Sequence, residues 1–83
     1  MAQDKKIVTI YVNTDEFKVD QGELTFQQIV KLAFPTKAGD PNILFKVSYR
    51  LGRGHSDLKT LAEGGEVQAQ DGMIFNVSYE NRS

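Results

Sequence analysis

No cysteine occurs among the 83 residues. That absence excludes disulfides, thiolate zinc sites and a cysteine nucleophile, and it agrees with a reducing compartment, the cytoplasm being the expected location. A single histidine and no cluster of carboxylates at ligand spacing leave no metal-site pattern, so neither a metal nor another cofactor is expected. The net charge is only −1, and lysines scattered from Lys5 to Lys59 form no basic stripe, which speaks against a nucleic-acid partner. No segment approaches the roughly 18 apolar residues of a membrane span. The run IVTIYVN after Lys6 alternates and stops too soon for the apolar part of an export signal, so a soluble chain without a membrane partner is expected.

What is present fits one small folded domain over residues 1–83. A composition 40% hydrophobic and 25% charged is too apolar for a disordered segment. A domain of this size buries only about 60–65% of its unfolded surface, so a large internal active-site cavity is not expected. No repeat, low-complexity run or linker divides the chain, and a monomeric unit is the simplest reading.

Residues 7–13 alternate as a strand, with Val8, Ile10 and Val12 on one side and Ile7, Thr9 and Tyr11 on the other. Turn formers at Thr14 and Asp15 lead into a second strand carrying Phe17 and Val19, which predicts a hairpin. In GELTFQQIVKLAFP the period changes: Phe26, Ile29, Val30, Ala33 and Phe34 fall on one helical face. Thr25 and Gln28 are spaced for a reciprocal N-cap, Leu24 and Ile29 for a hydrophobic staple, and Pro35 stops the helix.

Alternation returns in ILFKVSYRLG, with Phe45, Val47 and Tyr49 sharing one face. The glycine-rich GRGHSDLKTLAEGGEV reads as an irregular crossing that supplies Leu58, Leu61 and Val67 as lesser core contacts. After a turn at Asp71 and Gly72, the closing segment MIFNVSYENRS places Met73, Phe75, Val77 and Tyr79 on one face. Each strand has one apolar face and the helix one apolar stripe, so the expected architecture is α+β: a mixed sheet with one helix across one face. The closing strand, among the most apolar, should lie inside that sheet.

Four stretches, IVTIYVN, ELTFQQIVKLAFP, FKVSYRLG and LAEGGEVQAQDGMIFNVSYENRS, occur in an order and spacing that resembles a β-grasp, ubiquitin-like domain, most closely the bacterial multiubiquitin family. The match covers nearly the whole chain and rests on spacing rather than on a chemical signature. What the resemblance implies is a non-enzymatic protein modifier, or one unit of a precursor of such modifiers. An activating enzyme, a conjugating enzyme and a processing peptidase are then the implied partners. By position, Glu80, Asn81, Arg82 and Ser83 form the implied tail for processing and conjugation. The chain departs from the family's usual Gly-Gly ending, and the side chains of Asn-Arg-Ser are bulkier in a narrow enzyme channel. The internal pair Gly64–Gly65 is a loop feature, since cleavage there would discard the closing strand.

The resemblance also implies a partner-binding surface on the sheet face that the helix leaves open, where Ile7, Tyr11, Leu44 and Ile74 are the apolar residues. A non-conjugated interaction module using that face is the alternative function, and a sulfur carrier a third, against which the missing terminal glycines count. His55 with Ser56 and Asp57 is no triad, because chain neighbours do not converge around a substrate. RLGRGHSD lacks the Gly-Lys-Ser/Thr ending of a phosphate loop, so a turn is expected. Glu63, Glu66 and Asp71 have no predicted cleft to fix them as an acid–base pair.

Overall fold

The computed structural model describes residues 6–52, 54 and 57–81. Arg53, His55, Ser56, Arg82 and Ser83 therefore lie outside the described residues, as does the start of the chain. The elements in chain order are β1 (Ile7–Val12), β2 (Asp15–Asp20), β3 (Glu23–Thr25), α1 (Phe26–Ala33), β4 (Ile43–Arg50), β5 (Lys59–Leu61), β6 (Glu66–Gln68) and β7 (Ile74–Asn81). Five strands form one mixed sheet in the order β2-β1-β7-β4-β5, and β3 pairs with β6 separately. The helix packs across one face, as the apolar patterning requires.

Chain order puts the first and last strands side by side at the centre. β1 and β7 run parallel, with Tyr11 beside Ile74 and Val12 beside Phe75. On its other flank β7 is antiparallel to β4 along its whole length, from Ile74 opposite Arg50 to Asn81 opposite Ile43. The β1–β2 hairpin closes through Asn13 and Thr14, both in the left-handed region, at φ of 51° and 73°. Two such residues are what a twisted two-residue hairpin demands, and asparagine tolerates the conformation well.

Asn13 does more than turn the chain. After β1 ends, its Oδ1 accepts from the Val77 amide at 2.8 Å and its Nδ2 donates to the Val77 carbonyl at 3.0 Å. The Tyr11 and Asn13 amides donate to the carbonyls of Met73 and Phe75, so the side-chain amide takes the next step of the same parallel ladder. A strand pair with few main-chain rungs is lengthened by one.

The helix begins where the sequence places it. Thr25, in extended conformation at φ −87° and ψ 159°, accepts from the Gln28 amide at 3.1 Å, and Gln28 Oε1 accepts from the Thr25 amide at 2.9 Å. Phe26, Ile29 and Val30 are buried against the sheet; Ala33 and Phe34 pack at its edge, and the Phe34 amide closes the last turn on Val30 O before Pro35. Val8, Ile10, Val12, Val47, Met73, Phe75 and Val77 complete the opposing layer. No polar or charged residue is buried among the described residues, so this core is held by apolar packing.

The segment read as an irregular crossing holds more order than its composition suggests. β5 adds Lys59–Leu61 to the edge of β4, and β6 pairs Val67 with Leu24. Leu61 is buried and Val67 packs against the core as expected, whereas Leu58 is 60% exposed. Leu58 precedes the first paired residue of β5, so nothing turns it inward. Gly64, at φ 85°, and Gly65 make the turn between β5 and β6; Gly65 donates to Ala62 O, and its carbonyl accepts from the Phe26 amide at the helix start.

Candidate functional site: the end of β7 and the open sheet face

Two regions follow from the sequence, and strand order fixes where each lies. β7 starts beside Tyr11 and Arg50 and ends beside Ile43 and Leu44, so its eight residues carry the chain about 27 Å across the sheet. Side chains alternate along it: Phe75, Val77 and Tyr79 face the helix; Ile74, Asn76, Ser78 and Glu80 face away.

At the far end an aromatic group holds the strand in place. The Tyr79 ring meets Phe34 edge-on at 5.0 Å and 82°, and Phe45 lies 6.1 Å from Tyr79 and 6.2 Å from Phe34. Phe34 ends the helix, Phe45 lies opposite Tyr79 on β4, and the three rings tie the helix terminus to the last turns of the sheet. Lys37 Nζ sits 5.3 Å above the Tyr79 ring. Pairs of this geometry each add about 0.5–1.5 kcal/mol beyond the area they bury, and the exposed cation about 0.5–1 kcal/mol.

The expected tail of Glu80 to Ser83 starts too early. Glu80 and Asn81 are the last residues of β7, paired with Leu44 and Ile43, and both are exposed. Pairing is a main-chain property, so two polar side chains on a solvated surface do not end a strand whose partner continues. Glu80 and Asn81 therefore belong to the sheet, and Arg82 and Ser83 lie outside the described residues.

Of the four apolar residues assigned to the open face, the structure brings together two. Tyr11 and Ile74 are neighbours across β1 and β7. Ile7, 56% exposed, lies four residues back along β1, and Leu44 lies opposite Glu80, so they stand about 13 Å and about 20 Å from that pair in opposite directions. Between them the face is polar: Thr9, Asn76, Ser78, Lys46 and Ser48. A single apolar patch built from all four is therefore not formed. Alternation gives the face of each residue, but only strand order and register give its place along the sheet.

Two residues near Tyr11 and Ile74 are not among the site residues the sequence reading names. Arg50 lies opposite Ile74 on β4, and Thr14 is the second left-handed residue of the hairpin. Together with Leu51 they wall a shallow groove over the start of β7. The sequence signal for Thr14 was its place after Asn13, where glycine is the favoured residue. Asp71 also borders the groove, but its Oδ1 is engaged by the Thr9 amide at 2.8 Å, which explains its turn role.

Among the described residues no group of three histidine, cysteine or acidic side chains is placed to hold a metal. No helix among them is long and apolar enough to cross a membrane. The exposed ion pair from Lys18 to Glu16 on β2, at 3.3 Å, is of the solvent-screened kind that contributes little.

A mixed five-stranded sheet with parallel terminal strands at its centre and one helix across one face is the architecture of a β-grasp, ubiquitin-like domain. A family model described as multiubiquitin matches residues 8–80, and the chain belongs to that family. No curated protein and no solved structure matches it.

Proposed function

We propose that this domain is a ubiquitin-like protein modifier, or one unit of a precursor of such modifiers, whose chain beyond β7 is the substrate of partner enzymes. The observation that carries the reading is the course of β7 in a chain of the multiubiquitin family. Its central strand leaves the sheet at one fixed edge, anchored by Phe34, Phe45 and Tyr79. Asn81 thus stands at a constant position relative to a recognisable surface, which gives a peptidase and an activating enzyme a fixed point of approach. Anchoring also sets a limit: cleavage before Asn81 removes paired strand residues, so processing belongs at Arg82, Ser83 or beyond.

In this reading the domain is acted upon and is not itself a catalyst. A processing peptidase exposes a carboxylate, an activating enzyme adenylates it with ATP and releases pyrophosphate, and the acyl group then passes, with loss of AMP, by way of a conjugating enzyme to an acceptor amine. The setting is a bacterial, cytoplasmic conjugation pathway. Intact-mass spectrometry of the full-length precursor tests it, first with and without the cognate peptidase, then with ATP and the activating enzyme. A new terminus after Asn81 followed by an adduct is the expected result. An intact precursor after long incubation with demonstrably active peptidase refutes it.

A further inference from the structure

At the opposite end of β7 from the tail, three independent features meet in one groove. Arg50 is half-buried, its Nε has no hydrogen-bond partner, and no described carboxylate pairs with its guanidinium. Thr14 holds φ 73°, a conformation that a β-branched residue adopts only under strain, where glycine would do so freely. Tyr11 and Leu51 expose 36% and 39% of their surface beside Ile74, an apolar wall on an otherwise polar face.

We propose that this groove binds a peptide segment of a partner protein that presents a carboxylate beside an aliphatic side chain. Arg50 supplies the charge and the forked donors that match a carboxylate in two parallel hydrogen bonds. Its guanidinium has already lost part of its hydration without gaining a partner, so an incoming acid meets less competition from water than at an open surface. Tyr11, Ile74 and Leu51 receive the aliphatic group, and the Thr14 hydroxyl stands at the rim as a further hydrogen-bonding group. Arg50 is the one basic residue among the described lining of the groove, and on a domain of net charge −1 it is too little positive charge for a nucleic-acid backbone. The proposal goes beyond the conjugation reading and does not depend on it, since the groove and the tail lie at opposite ends of one strand.

The test is a titration of the isotopically labelled protein, followed by amide chemical shifts, with an array of blocked heptapeptides. Each carries one leucine or isoleucine and one aspartate or glutamate at separations of one to three residues, and each has an asparagine or glutamine counterpart. Expected are shifts confined to the amides of Tyr11, Thr14, Arg50 and Ile74, at least tenfold weaker binding of the amide counterparts, and a similar loss in Arg50→Gln. Arg50→Lys, which keeps the charge and the stem, should retain part of the affinity. The proposal is overturned if no acidic peptide moves those amides, if acid and amide peptides bind alike, or if anionic phospholipid vesicles shift them while the peptides do not. The first two comparisons use the unaltered protein, so a variant that fails to fold does not shelter the idea.

Discussion

Replacing Asn13 probes the junction on which the central strand pair depends. The Asn13 side chain supplies both halves of a rung to Val77, and its backbone sits at φ 51°. Asn13→Ala removes both bonds and puts an ordinary residue in the left-handed region. An unpaired donor on a buried strand costs about 1–3 kcal/mol, and the backbone about 1 kcal/mol more. The sum, about 2–4 kcal/mol, is a large share of the roughly 4–12 kcal/mol total for a domain of this length. It corresponds to a fall in Tm of roughly 8–32 °C at about 4–8 °C per kcal/mol. Asn13→Gly separates the two contributions, because glycine accepts the conformation but not the rung. It should lie about 1 kcal/mol above the alanine variant and still clearly below the parent. Urea unfolding followed by circular dichroism reads both, with midpoints shifting and slopes unchanged. A loss below about 0.5 kcal/mol for Asn13→Ala would refute the assignment of the rung as structural, and a glycine variant no more stable than alanine would refute the backbone contribution.

Thr14→Gly relieves a strained residue without removing any contact of the core, so urea unfolding should show a gain of about 0.5–1 kcal/mol; a loss would mean that the threonine is not strained. Thr25→Ala removes the acceptor for the Gln28 amide and half of the reciprocal cap, with an expected cost of about 1 kcal/mol by the same measurement. No change there would show that water replaces the cap at no cost.

Much of the fold was legible because its long elements have one period each. Val8, Ile10 and Val12, the helix stripe from Phe26 to Phe34, and Phe75 and Val77 all lie on the faces that alternation and helical spacing assign. The cap at Thr25 is readable because its chemistry is local. β3 and β6 were not readable: a three-residue strand has no period, and Leu24 meets Val67 only because the helix and two strands between them fold back into a compact layer. That Glu80 and Asn81 belong to β7 depends on where β4 begins, a fact about the partner strand and not about these residues. The open-face residues show the same limit. Tyr11 and Ile74 are drawn together by a pairing between the two ends of the chain, and Arg50 joins them only through the register of β4 on β7.

Placing the last strand at the centre has a consequence for how the protein is made. Asn13 and Val77, 64 residues apart, must meet before the sheet has a middle. Contacts of such separation are slow to form because the intervening chain must first lose its freedom. During translation the hairpin and helix emerge early, yet β4 has no central neighbour until β7 follows it out of the ribosome. Each newly synthesised domain thus waits, with one edge of its first strand unpaired, until the eight residues of β7 arrive.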